Sequence, residues 1–405
     1  MAAAPPLRFA MTPPPASGDN PGLYEERLAQ WFLEHTFFLD FVFRNPRGKG
    51  GKGELADAVV LHDDVVLMTQ VKAQVSRRPI QQWSQTAIEE ALRQLRYTNR
   101  MLRGGVVRDL VSATLGVVRF DPRAHYNRYG LVLLAQDAVP YDPGILVPGL
   151  SELPFPVHVL SLADFSMLVE RFDTAADLVT YFDYRRDAFD VAHIPVHDEA
   201  AVLREIAARS ADILRQARPG LTDEAVTRSA AAFSRKASGE LSRSTEWRYS
   251  LAVDDIIAHL HERDPALPWN MGTDAQVVMR TAAELGWLTR DRRITIGKRM
   301  LQMCENARDG NAHDFPVFLR ASRTGFHFVV MDAPRSERVQ YLDALTLITQ
   351  ARFNAAMVVG VATEPFGLGR SYDVLLRTGE LDAAAREFIL RTNPLSSNEE
   401  CGPEA

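Results

Sequence analysis

The chain has little cysteine: Cys304 and Cys401 are the only two in 405 residues, far apart and without CxxC spacing. A disulfide framework and a cysteine zinc site are therefore excluded as organising features, and a reducing, cytoplasmic setting is expected. No apolar run approaches the ~20 residues that cross a bilayer, and the first residues lack the apolar core of a secretion signal. No membrane association is expected. Motifs with a known mechanism are also missing. The basic loop Arg47-Gly48-Lys49-Gly50-Gly51-Lys52-Gly53 lacks the GxxxxGK[ST] spacing of a phosphate-binding loop. His193 and His197 are separated by Pro195, and His259 and His261 diverge on a helix, so neither pair has HExxH geometry. Gly367-Leu368-Gly369 is too short for a dinucleotide signature. No Gly-x-Ser-x-Gly elbow offers a serine nucleophile.

An excess of positive charge is missing overall but not locally. The chain is −6, which argues against wholesale coating of nucleic acid. Residues 41–110 nevertheless carry twelve Lys or Arg against seven Asp or Glu, a net +5. A basic stretch inside an acidic chain suits a polyanionic partner.

Within that stretch, Glu54–Gln74 reads as two β-branched apolar runs joined by a turn at Asp63-Asp64, a hairpin signal. Three polar residues interrupt the runs: Asp57, Gln70 and Lys72. Burying a carboxylate and an ammonium costs several kcal/mol unless they pair or bind an ion. If Asp63 and Asp64 are the loop, paired positions sum to 127. Asp57 then opposes Gln70, and Lys72, two further on, projects from the same face. Read alone, each of the three also fits a structural ion pair or cap at a sheet end.

The flanking pattern gives an α/β chain. Residues 1–21 are Ala- and Pro-rich and read as a disordered tail. A helix is expected over Tyr24–His35, with Glu25 at the edge of its apolar stripe and Glu26 and Glu34 leaning outward. A strand follows over Phe37–Phe43. Pro79–Arg103 reads as a long helix with Arg93, Arg96, Arg100 and Arg103 on one face. Strands at Ala113–Phe120, Tyr129–Gln136 and Val157–Leu160 and two helices complete a first domain, 22–190. Residues 191–310 read as a helical domain, with Asp274–Met300 a helix pair or a winged-helix fragment. Residues 311–392 read as a small α/β domain, and 393–405 as a disordered acidic tail.

The order helix-Glu, strand, strand-Asp, strand-Gln-x-Lys, long helix resembles the PD-(D/E)XK nuclease superfamily. Its carriers are Glu25 (or Glu26), Asp57 in Glu-Leu-Ala-Asp-Ala-Val-Val, and Gln70-Val71-Lys72. The resemblance covers about residues 22–140 and implies a restriction-endonuclease-like core with a central mixed sheet. It implies Mg2+ or Mn2+ held by Asp57, Gln70 and Glu25, with Lys72 as the catalytic lysine. Gln70 stands where the family more commonly has an acid. An amide oxygen ligates a cation but brings no charge, so weaker metal binding and greater reliance on the helix glutamate are expected. Lys49, Lys52, Arg77 and Arg78 are the expected phosphate contacts. The implied function is endonucleolytic cleavage of nucleic acid, DNA favoured over RNA, in restriction, phage defence or repair. The helical region would serve a protein partner or a homodimer. The alternative is a nuclease-fold protein that binds nucleic acid or a partner without cutting.

Overall fold

The computed structural model describes residues 21–47, 54–74, 79–107, 109–112, 116–135, 153–189, 199–261, 275–307, 310–319, 322–365 and 372–392. The expected phosphate contacts Lys49, Lys52, Arg77 and Arg78 lie outside these residues, as do both terminal tails. The fold is α/β, and the chain divides into two compact units. Among the described residues no helix is long and apolar enough to cross a membrane.

The first unit reaches Trp247 and takes back Gly286–Arg290. Its elements are α1 (Pro21–Phe37), β1 (Val42–Arg44), β2 (Ala58–His62), β3 (Val65–Ala73), α2 (Ile80–Arg103), β4 (Asp109–Ser112), β5 (Gly116–Arg119), β6 (Asn127–Ala135), β7 (Val157–Ser161), α3 (Leu162–Arg171), α4 (Ala175–Ala188), α5 (Glu199–Ala217), α6 (Asp223–Ala237) and the short α7 (Glu240–Arg243). The central sheet runs β1-β2-β3-β6-β7 and is mixed. β1, β2 and β3 pair antiparallel, while β3, β6 and β7 pair parallel. A β4–β5 ribbon stands beside it.

Period-two alternation sorts the sheet into two faces. Val60, Val65 and Leu67 join α1, α3 and α4 in one core, where Leu33, Phe37 and Phe165 are buried. Val59, Leu61, Val66 and Met68 face α2 through Trp83, Ile88 and Leu95. The helices start where their sequences provide caps. The hydroxyls of Ser161, Thr174 and Thr222 accept from the backbone N–H three residues on, opening α3, α4 and α6. Pro79, which has no N–H to lose, stands immediately before α2.

Three expectations change. The strand expected over Phe37–Phe43 shrinks to β1, because α1 runs through Phe37 and Phe38 takes a left-handed φ of 67° before a 3-10 turn, Leu39–Phe41. Glu34 does not lean outward: it is buried, with both carboxylate oxygens on the Arg44 guanidinium. The boundaries expected at 190 and 310 do not match the division into units. Val202, Leu203, Ile206, Val226 and Phe233 of α5 and α6 enter the same core as α1 and α4, and the Arg185–Glu199 pair (3.0 Å) is buried between α4 and α5. An amphipathic pattern shows that a face must be covered but not what covers it.

The second unit holds α8 (Leu251–His261), α9 (Ala275–Gly286), α10 (Arg290–Asn306), β8 (His313–Leu319), β9 (Thr324–Val330), α11 (Arg335–Phe353), β10 (Met357–Thr363), β11 (Tyr372–Thr378) and α12 (Ala383–Thr392). Its sheet runs β11-β10-β9-β8, with β9 and β10 parallel and joined through α11. Of the two readings of Asp274–Met300, the helix pair is observed: α9 and α10. Gly360 packs tightly in this sheet: a Cβ there would lie 2.5 Å from Thr346 Cγ2.

His158 gives the first unit a pH dependence. It is buried on β7, its ring 4.5 Å from that of Phe182, and its Nε2 has no hydrogen-bond partner among the described residues. Burial first, then Arg185 and Arg186, hold its pKa well below 6.5. The unfolded chain therefore takes up a proton near pH 6.5 that the folded one refuses. Stability should fall below that pH by about 1.4 kcal/mol per unit from this residue. In urea titrations at pH 7.5, 6.5 and 5.5, His158→Phe should lose that part of the slope. Equal slopes in the two proteins would remove His158 as the cause.

Candidate metal and nucleic-acid site

The β2–β3 hairpin has the register the turn dictates. Ala58 pairs with Thr69 and so on to His62 with Val65, so paired positions sum to 127. Asp63 takes the left-handed φ of 53° that a two-residue hairpin turn requires. Asp57 precedes β2, and its N–H donates to Thr69 O (3.2 Å). Past that point β3 has lost β2 along one edge, while β6 still pairs with it along the other. The Asp57 carboxylate takes the place of β2, Oδ2 accepting from the N–H of Val71 at 2.5 Å.

Three carboxylates meet here. Oxygens of Glu26, Glu54 and Asp57 all lie within 4.8 Å of one another. α1 brings Glu26, and an isolated bridge between Arg47 and Glu54 brings Glu54 back beside the end of β1. Two amides hold the group together. Asn45, in the left-handed region (φ 45°), donates from Nδ2 to Glu26 (2.5 Å) and Glu54 (2.6 Å). Buried Gln30 reaches Asp57 O (2.8 Å), Asn45 Oδ1 (2.9 Å) and Glu26 Oε1 (3.2 Å). Burial pushes the Asp57 pKa up to about 6; Glu26 and Glu54 add to the rise, while the Val71 N–H and Lys72 oppose it. Its negative charge is thus undercompensated by protein groups alone.

Gln70 is buried, its Nε2 3.5 Å from Leu55 O, which also accepts from the Thr98 hydroxyl of α2. Lys72 donates to Gln94 Oε1 (2.7 Å) and lies 3.6 Å from Glu90, both on α2. A cleft of about 640 Å³ opens between the carboxylates and α2, lined by Asp57, Gln70 and Glu54 on one side and by Gln94 and several arginines on the other. Lys72 is not in its lining.

Of the residues singled out from sequence, Asp57, Gln70 and Lys72 therefore share one end of one hairpin. Glu25 stands outside the cluster; its Oε2 is buried without a hydrogen-bond partner among the described residues. The helix acid at the cluster is Glu26, against the expectation that it leans outward. Sequence reading also missed Glu54, Asn45 and Gln30. Two signals were available. Gln30 stands one helical turn after Glu26, and Asn45 before Pro46 marks a turn where an amide tolerates a left-handed backbone.

No family model, no curated protein and no solved structure matches the chain.

Proposed function

We propose that the first unit is a metal-dependent nuclease of the PD-(D/E)XK type that hydrolyses phosphodiester bonds in cytoplasmic nucleic acid, DNA favoured. The observation that carries this reading is the meeting of three carboxylates at the end of the hairpin that bears Gln70 and Lys72. The element order α1, β1, β2, β3, α2 supports it. So does the chemistry of the donors: oxygen ligands, several of them anionic, suit Mg2+ or Mn2+. Glu26, Glu54 and Asp57 would hold the ion, with the Gln70 amide oxygen as a neutral fourth ligand.

A bound Mg2+ or Mn2+ supplies Lewis-acid charge neutralisation and an acidified water. The protein groups supply position. Asp57 is fixed by the Val71 N–H, and Glu26 and Glu54 by Asn45. Lys72, held by Gln94 and Glu90, lies close enough to Asp57 to favour its charged form, and from there it would offset charge that grows on the phosphoryl oxygens. Gln70 adds no charge, so metal binding depends on the three carboxylates, Glu26 and Glu54 beside Asp57.

The raised Asp57 pKa has a measurable consequence. The folded, metal-free protein binds a proton at Asp57 up to about pH 6 that the unfolded chain releases near 3.8. This residue's contribution to stability therefore falls as pH rises from about 4 to 6. Mg2+ should raise the melting temperature above pH 6 and lose that effect below pH 5. At ten times Kd the gain is about 1.4 kcal/mol, on the order of a few degrees. Thermal shifts of wild type and Asp57→Asn at pH 5 and 7.5, each with Mg2+ or EDTA, test this. A Mg2+ shift equal in the two proteins would rule out Asp57 as a ligand.

A second reading, nucleic-acid or partner binding without chemistry, is favoured by one observation: Lys72 is already engaged by Glu90 and Gln94 and does not line the cleft. Incubation with single- and double-stranded DNA and RNA, with Mg2+ or EDTA, separates the two. Metal-dependent products support the nuclease. Salt-sensitive retention without products supports the binding protein.

A further inference from the structure

The wall of the cleft opposite the carboxylates is a row on α2: Arg93, Arg96, Tyr97 and Arg100. All four are exposed, Tyr97 by 39%. Spacings of three and four put the arginines on one helix face, and seven residues of helix extend about 10 Å. The Arg100 guanidinium lies 5.4 Å from the centroid of the Tyr97 ring. An aromatic ring interleaved with guanidinium groups, beside a carboxylate cluster, is a composition that grips both parts of a nucleotide.

From this we infer that the cleft takes an unpaired strand: Arg93 and Arg100 hold consecutive phosphates, and a base stacks on Tyr97 beside the phosphate presented to Asp57. The inference builds on the proposed nuclease site, whose substrate class it names. Phosphate contacts alone do not distinguish strands, since duplex and single strand both present phosphates. Tyr97 does. A base within a duplex has both faces covered by its neighbours, so only an unpaired or extruded base offers a face to the ring. The cleft, about 640 Å³, has room for a nucleotide or two in contact with its walls. Stacking on an exposed aromatic is tolerant of sequence, so the cleft should discriminate by strandedness and little by base identity.

The test is fluorescence anisotropy in EDTA, where cleavage does not enter. The probes are a labelled 15-nucleotide single-stranded DNA and its duplex; the proteins are wild type, Tyr97→Ala, Tyr97→Phe and Arg93→Ala/Arg100→Ala. The single strand should bind wild type at least tenfold more tightly than the duplex. Tyr97→Ala should weaken single-strand binding by about 5- to 100-fold, and Tyr97→Phe, which keeps the ring, should weaken it by less than threefold. The double arginine variant should reduce the slope of log K against log salt by about 0.7 per arginine. Equal affinity for duplex and single strand, or an unchanged Tyr97→Ala protein, would overturn the inference while leaving duplex cleavage by the nuclease possible. Tyr97-dependent strand binding with no product in Mg2+ would uphold it and reject the nuclease.

Discussion

Lys72→Ala should lower single-turnover cleavage in saturating Mg2+ by about 10²- to 10³-fold, the usual loss when one charge-stabilising donor leaves an active site. Substrate affinity should change by less than threefold. Two features make the variant interpretable. Lys72 sits at the mouth of the sheet, where its partners Glu90 and Gln94 face solvent or are half-buried, so its removal strands no fully buried charge. Its neighbour Asp57 keeps the Val71 N–H in the variant, so the carboxylate cluster retains its anchor. Lys72→Arg should not restore the rate, because a planar guanidinium cannot place a single point charge where the ammonium stands. The check is the rate constant for strand scission with enzyme in excess. Activity above a tenth of wild type in Lys72→Ala would remove the lysine from the chemistry.

The second large effect separates two adjacent residues. Glu26→Gln should raise the Mg2+ concentration for half-maximal cleavage by at least about 10²-fold and lower the rate at physiological Mg2+ correspondingly. Glu25→Gln should stay within about threefold of wild type. The difference follows from position: Glu26 lies with Glu54 and Asp57 and accepts from Asn45, whereas Glu25 is outside the group. With Gln70 contributing no charge, the charge that holds the ion rests on the three carboxylates alone. One fewer carboxylate weakens a hard-cation site more than it would in a site with an acid in that place. Mn2+ binding followed by electron paramagnetic resonance gives the same comparison without substrate. The reverse ranking, with Glu25 essential and Glu26 dispensable, would move the ion to the other side of α1.

How much of this was legible in the sequence depends on the range of the determinant. The hairpin was legible because its register is set locally, by a two-residue turn and an alternating face, and the pairing of Ala58 with Thr69 follows from those alone. In the second unit, the helix pair was legible as one of two readings of Asp274–Met300, and residues 311–392 as α/β. Which of Glu25 and Glu26 reaches the site was not. The two are one residue apart at the first turns of a helix that begins at Pro21, earlier than its apolar stripe indicates, and the choice is fixed by Asn45 and Gln30, distant or unremarkable in sequence. Glu54 was passed over because contacts distant in sequence, the bridge with Arg47 and the Asn45 amide, bring it back beside Glu26. The joining of α5 and α6 to the first unit was hidden because their alanine-rich faces fit many surfaces. Here the surface is α4, sealed by Arg185 and Glu199.

In the proposed reaction Asp57 and a divalent ion together cut a phosphodiester bond. Its most direct test is single-turnover incubation of end-labelled single-stranded and duplex DNA with wild type and Asp57→Asn, each in Mn2+ and in EDTA. Product should form only with wild type in Mn2+. Product from wild type in EDTA, equal product from Asp57→Asn, or intact substrate in all eight incubations would contradict it.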